Sequence, residues 1–298
     1  NSLVGKQLSY WVGRLDGLPD VLELPADRPR PAVASQRGDQ VSFEIPADVV
    51  DAISAVATHR GATHRGATPF MVVHAALAVL LSRLAATSAI AVGTPIAGRG
   101  QRALDALVGM FVNTLVLRAE IEPGMTFATL MDQVRATDLE AFAHADVPFE
   151  TLVEQLDPVR SEAFAPLTQI LLTFHQSTLP EFSTALGDPI AGASDVAGLS
   201  IAPVEAPETP AKVDLTVAIA GGTQGQAWPA QIVYATDLFD RATIDTVARR
   251  FTDLLDNLVA APDRAVGDAT FVSDDERALA LDPNHVDART NLNALPAA

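Results

Sequence analysis

The chain contains no cysteine, which removes disulfide frameworks, thiolate metal sites and a cysteine nucleophile together. Lysine is almost as scarce: Lys6 and Lys212 stand alone, and the other basic residues are arginines. With the abundant alanine, that bias reflects a GC-rich coding sequence rather than a mechanism. Basic charge is short overall, with 20 basic residues against 37 acidic ones and a formal net charge of −17. A general nucleic-acid binder must neutralise phosphates and release counterions, so the sign excludes that class. It also argues against attachment to an anionic membrane surface. Long hydrophobic runs are missing too. The most apolar stretch, Phe70 to Leu81, carries His74 and falls short of the roughly 20 residues of a membrane span. No basic-then-apolar signal segment opens the chain, and a cytoplasmic location is the expectation.

What is present is a soluble globular composition, 48% apolar and 19% charged over 298 residues, enough for one large domain or two modest ones. Leu8, Trp11 and Leu15 fall at helical spacing within an amphipathic helix, Leu3 to Leu15. The chain opens inside that helix, on Asn1, and is expected to be a piece of a longer polypeptide. Four prolines make Leu18 to Pro31 an extended connector. Val41 to Ile45 alternates as a half-buried strand, and Asp48 to Thr58 reads as a helix. Thr58-His59-Arg60-Gly61-Ala62 is then repeated as Thr63-His64-Arg65-Gly66-Ala67, too short a unit for a solenoid and better taken as a lengthened loop.

Thr68 or Pro69 opens an apolar helix to about Leu84, followed by strands at Ala89–Thr94 and Phe111–Ile121. A loop is expected over Pro95–Gly100. Phe127–Phe142 reads as a helix with Leu130, Val134 and Phe142 inward. Asp146 is expected to cap a further helix, Phe149–Leu156. Leu167–Phe174 is a strand, and Ser177–Pro210 is irregular with short strands possible near Ala191 and Leu199. Val213 to Ile219 and Ile232 to Tyr234 alternate around a glycine-rich hairpin turn, Gly221–Gly225. A last helix covers Ala242–Leu258. Six strands and five or six helices, mixed rather than strictly alternating, predict an α/β (α+β mixed) fold: a mixed β-sheet flanked by helices.

No self-sufficient active site emerges from the chemistry. The six histidines, His59, His64, His74, His144, His175 and His285, form no His-Glu-x-x-His pair, and no metal site is expected. No Gly-x-Ser-x-Gly elbow occurs. The loop from Gly93 to Arg99 lacks a Gly-Lys-Ser/Thr ending and holds a proline where a phosphate cradle needs a donor.

Several segments, in order, resemble the condensation domain of non-ribosomal peptide synthetases, a family with a chloramphenicol acetyltransferase-like fold. They are Gln7 to Trp11 with Leu22 to Pro31; Val92 to Arg99; Val108-Gly109-Met110-Phe111-Val112-Asn113-Thr114-Leu115 with Arg118; His144-Ala145-Asp146-Val147-Pro148-Phe149-Glu150; Lys212 to Leu215; and Tyr234 to Asp240. The family's Arg-Asp-x-Ser-Arg-Asn-Pro-Leu motif survives only at its ends, in Arg160 to Leu167, with Ala165 in place of the asparagine. The His-His-x-x-x-Asp-Gly motif, which in the family lies in the N-terminal lobe, is nowhere in the chain.

The resemblance implies that residues 1–277 are the C-terminal lobe of such a domain and 278–298 a linker towards a following domain. It implies one wall of a tunnel in which a carrier-bound amine attacks a carrier-bound thioester, and no catalytic residue in this chain, which alone should be inactive. The implied partners are the N-terminal lobe, donor and acceptor carrier domains, and an adenylation domain downstream. No cofactor is bound directly; a phosphopantetheine arm arrives on each carrier. Asn113 and Thr114 either line the tunnel or serve only the strand, and Arg99, with Arg102, either meets a pantetheine phosphate or pairs with neighbouring acids. Gly109, Phe111, Arg118, Asp146, Pro148, Phe149 and Asp237 are family-motif residues with structural roles. The loop Pro95–Met110 and the hairpin Gly221–Trp228 are the expected crossings towards the partner lobe. The alternative is a non-catalytic module that recruits a carrier protein or a tailoring enzyme. An epimerisation domain shares the fold, but the motifs at Phe111–Thr114 and Asp146–Phe149 point to condensation.

Overall fold

A computed structural model describes residues 3–58, 66–99, 104, 106–176, 194–196, 199–201, 209–222 and 225–272. In chain order its elements are α1 (Leu3–Leu15), β1 (Arg37–Ile45), α2 (Ala47–Thr58), α3 (Pro69–Ala85), β2 (Ala89–Ile96), β3 (Asn113–Glu120), α4 (Phe127–Ala143) and α5 (Phe149–Leu156). Then follow β4 (Ile170–Gln176), β5 (Ser194–Val196), β6 (Leu199–Ile201), β7 (Thr209–Pro210), β8 (Leu215–Gly221), β9 (Trp228–Ala235), α6 (Arg241–Ala260) and a 3-10 turn (Val266–Asp268).

The organising element is α3. Its residues Met71 to Leu81 are all buried, so it is apolar around its whole circumference and needs neighbours on every side. It packs against α2, α4, α6 and β2. The Thr68 hydroxyl accepts from the Met71 N–H at 3.3 Å and Pro69 occupies the first turn, which fixes where the helix begins.

Seven strands form one mixed sheet in the order β3-β2-β4-β8-β9-β1-β7, and β5 and β6 make a separate hairpin. The β2–β4 and β4–β8 pairs are parallel, and the others antiparallel. One core lies between the sheet and α2, α3, α4 and α6. A second gathers Trp11 and Leu15 of α1 and Leu152 of α5 over Leu115 and Leu117 of β3. A mixed sheet flanked by helices is therefore the architecture found.

Several boundaries differ from the sequence expectation. Strand β2 runs on through Pro95 and Ile96, paired to Thr114 and Asn113. Proline is tolerated there because β2 pairs with β4 only at Gly93, leaving its other edge without a ladder to break. Strand β3 starts at Asn113 rather than Phe111, and Val213 precedes β8 rather than joining it. Phe142, expected inward, is 43% exposed, since it lies past the point where α3 covers α4. The repeat residues 59–65, Arg102, most of the Ser177–Pro210 segment and the tail 278–298 lie outside the described residues.

Candidate functional site

Strands β2 and β4 run parallel and touch through the single pair Gly93–Leu171. A Cβ on Gly93 would stand 2.6 Å from a Leu171 methyl and 3.0 Å from the Thr168 methyl, so any larger residue would have to displace the Leu171 side chain for the strands to meet as closely. Beyond it they part. The fork opens into a cleft of about 690 Å³ lined by Thr94 to Ala97 on one arm and by Thr173, Phe174 and His175 on the other. Thr68 to Met71 at the start of α3, Val112, and Leu139 and Phe142 of α4 complete it. In open parallel sheets a crevice at the carboxyl ends of the strands is the usual position for a ligand, and the parallel part of this mixed sheet has one.

The floor is aromatic. Phe70 meets Phe142 and Phe174 edge-on, each with centroids 6.4 Å apart, and Phe174 meets Trp228 at 5.4 Å. One helical turn below Phe70 lies His74, its ring 6.1 Å away. The His74 Nδ1 and an Asp138 carboxylate oxygen are 3.1 Å apart, both side chains fully buried. His74 Nε2 and the other Asp138 oxygen have no hydrogen-bond partner among the described residues. This pair joins α3 to α4 directly beneath the cleft, but it is sealed from it by Phe70.

The loop leaving β2 is held at its neck. Gly98 has φ +63°, and a Cβ there would lie 1.7 Å from the Phe111 carbonyl oxygen. The Arg99 guanidinium stacks 4.3 Å over the Phe111 ring and donates to the Leu104 carbonyl. Arg99 is thereby engaged within its own loop. Beyond this neck Leu107, Val108, Met110 and Val112 are exposed, Val108 fully, and Gly109 lies among them.

Asn113 uses its whole amide on backbone. Its NH2 donates to the Ala145 and Val147 carbonyls at 3.0 and 2.8 Å, and its Oδ1 accepts from the Thr114 and Phe149 N–H groups at 2.9 and 3.0 Å. It therefore holds the turn before α5 and caps that helix, and has no polar group left for a ligand. Thr114 is half-buried beside Pro95 and, like Asn113, is not in the cleft wall. Asp146 does not cap α5, whose N-cap is Pro148 without a side-chain bond. Asp146 instead accepts from the Gln7 amide at 2.8 Å and donates its own N–H to Gln7 Oε1 at 3.1 Å, docking α1. The half-buried Phe149 packs in the second core. Arg118 donates to the Arg14 and Asp16 carbonyls at 3.2 and 2.6 Å, closing the end of α1 over β3.

The Asp237 carboxylate accepts from the Ser35 N–H at 2.7 Å and the Ser35 hydroxyl at 2.8 Å, and the backbone bond above all holds it below the ordinary carboxylate range. Arg30 and Asp214 pair at 2.5–2.8 Å beside it. That bond raises the Arg30 pKa. A second cavity of about 350 Å³, which holds Arg30, Glu162, Lys212, Asp214 and Asp237 among apolar residues, lies here between the connector, Ser161–Ala165 and Lys212–Asp214. The motif segments of the connector, of Arg160–Leu167 and of Lys212–Asp240 thus meet each other rather than the cleft.

The profile of the family described as "Condensation domain" matches residues 2–281. The chain belongs to the condensation-domain family. Over 285 residues it is 42% identical to the nonribosomal peptide synthetase CymA of Salinispora arenicola (strain CNS-205), covering 94% of this chain and 3% of that protein. Among solved structures, the four-domain nonribosomal peptide synthetase AB3403 superposes with a TM-score of 0.80 at 25% identity over 90% of this chain and 20% of the other. The X-domain from teicoplanin biosynthesis does so with a TM-score of 0.78 at 26% identity, over 91% of this chain and 57% of the other. In this condensation-domain chain, then, the motif residues Asn113, Arg118, Asp146 and Asp237 join elements of the scaffold to one another, and none of them lines the cleft.

Sequence reading missed the cleft-lining Phe70, Phe142, Phe174 and His175. The only signal for His175 was a histidine closing an apolar strand, and nothing marked the fork. Among the described residues no helix is long and apolar enough to cross a membrane, and no three acids or histidines are grouped as a metal site.

Proposed function

We propose that this chain is the C-terminal lobe of a condensation domain and supplies one wall of a tunnel for amide-bond formation. The supporting observation is the fork cleft together with the exposed apolar segment that runs into it, in which Leu107, Val108 and Met110 are exposed and Val112, also exposed, lines the cleft. An apolar segment of that kind suits burial against a second lobe, and this chain spans little over half of the X-domain it superposes on. Of the two expected crossing segments, the loop after β2 is the one with free apolar side chains. The β8–β9 hairpin is fastened to its own lobe, with the Gly225 N–H donating to Asp51 at 3.0 Å.

In the reaction proposed for the assembled domain, the amine nitrogen of one carrier-bound substrate attacks the thioester carbonyl of the other. The C–N bond forms, the C–S bond breaks, and the departing phosphopantetheine thiol takes up the proton the amine loses. The contribution of this lobe is orientation: two tethered substrates held in line lose little further entropy on reacting. The base or positioning histidine belongs to the missing motif. An adenylation domain downstream would load the acceptor carrier.

The experiment supplies two loaded carrier proteins to this chain alone and to a polypeptide that joins it to an upstream lobe carrying His-His-x-x-x-Asp-Gly. Transfer in the joined form only is the expected result. Transfer by this chain alone overturns the assignment.

A second reading, a non-catalytic recruitment module, gains support from the superposition on an X-domain that has also been solved in complex with OxyB, and from the eroded Arg160–Leu167 motif. It predicts an upstream lobe with an altered histidine motif and no transfer in either form.

A further inference from the structure

We propose that the fork cleft accepts a neutral, apolar acyl chain or side chain of a thioester substrate, and that Phe70 sets how long that group can be. This rests on the reading of the chain as a condensation-domain lobe but concerns which substrates the site takes. In a chain with 57 charged residues, from 20 basic and 37 acidic, none of the described residues lining the cleft is Asp, Glu, Lys or Arg. Three threonines and the exposed His175 are the only polar side chains among the described residues that line it. A charged substrate group entering between Ile96, Phe142 and Phe174 would lose its water and meet no partner. An alkyl or aromatic group would replace water on apolar walls, and about 690 Å³ lies within the range that encloses a small ligand.

Depth is set at the aromatic floor. Phe70 sits in the first turn of α3, between the Thr68 cap and the fully buried run that begins at Met71. The helix gives it no freedom to retreat, and Phe142 and Phe174 brace its ring from two sides. Behind it lies the buried His74–Asp138 pair, with a polar atom unpartnered on each side chain. An apolar chain that grows past Phe70 would therefore press on polar groups, so the preferred length should end at this ring.

The test uses pantetheine amides, in which NH replaces the thioester sulfur, carrying butanoyl to dodecanoyl chains and leucyl or aspartyl groups. Their affinities are measured by calorimetry on the full chain and on the polypeptide joined to its upstream lobe. Affinity should rise about fourfold per methylene and then level off, with aspartyl at least about tenfold weaker than leucyl. Phe70→Ala should move the plateau to longer chains and Phe70→Trp to shorter ones. Thermal unfolding checks each variant, and Phe70→Leu, a smaller change, replaces the alanine if that variant does not fold. No binding, length-independent binding, equal affinity for aspartyl and leucyl, or a plateau that neither variant moves overturns the proposal. Transfer between loaded carriers is scored separately. Transfer without length or charge selectivity removes this inference and leaves the lobe assignment standing. The expected binding profile without transfer does the reverse.

Discussion

Asn113 illustrates how a motif residue can matter without touching substrate. Of the four hydrogen bonds its amide makes, three tie β3 to the turn before α5 and one stays within β3. Asn113→Ala leaves two carbonyls and the first N–H of α5 without partners. A loss of about 1–3 kcal/mol in urea unfolding is expected, with Asn113→Asp no better, because a carboxylate cannot donate to the Ala145 and Val147 carbonyls. His74 and Asp138 behave differently. Among the described residues each is the other's hydrogen-bond partner, and both side chains are fully buried, so His74→Leu or Asp138→Leu alone should each cost about 1–3 kcal/mol. The double substitution should cost clearly less than the sum, since it removes both buried polar groups at once. Additive losses in the same denaturation series would mean the two side chains act independently.

Among the elements, the neck of the loop after β2 decides how the cleft is bordered. Gly98 has no room for a methyl group and sits in the left-handed region. Gly98→Ala should force Phe111 away and release Arg99 from its ring. Little global stability is at stake, since the loop is largely exposed. The expected result is a near-native unfolding midpoint with at least about a tenfold drop in carrier-to-carrier transfer by the assembled domain, as misplacement of about an ångström costs on the order of a hundredfold. The connector is pinned in a comparable way. The Asp27 carboxylate accepts from the Asp240 N–H at 2.7 Å and the Thr243 hydroxyl at 2.8 Å, so a residue far away in sequence caps α6. The backbone bond from Asp240 is the main reason its pKa lies below the ordinary 3.8.

For the molecule as a whole, these groups set both limits of pH stability. Asp27 and Asp237 have lowered pKa values, so their contribution is complete above the ordinary 3.8 and is lost as pH falls through the lowered values. Asp27→Asn with Asp237→Asn should flatten the acid limb of a midpoint-against-pH curve. At the other end, burial first and the bond to Asp39 second push Tyr234 up to about 12. Its contribution is intact below pH 10 and disappears between 10 and about 12. Tyr234→Phe should remove that part of the alkaline decline. Since Tyr10 is also raised by burial and the chain has only two tyrosines, phenolate absorbance in the folded protein should rise above pH 10 rather than at it. A normal titration at 10 would show that these rings are not buried as described.

The family, the mixed sheet and most elements were legible in the order of residues alone. Helical spacing of Leu8, Trp11 and Leu15, the apolar run of α3 and the alternation of β8 and β9 are local patterns, and short-range sterics and burial act on them directly. The order of residues also shows that no His-His-x-x-x-Asp-Gly motif is present. Tertiary structure alone decided where the motifs lead. In one dimension Asn113 could line a tunnel and Asp146 could cap α5, yet their long-range partners are backbone and side-chain groups 32 to 139 residues away, and no periodicity encodes such contacts. The cleft exists because two strands separated by some 75 residues in sequence meet at one glycine and then diverge. Phe142 turns outward and Phe70 becomes a floor for the same reason: a helix face is apolar in sequence whether another element covers it or a cleft does.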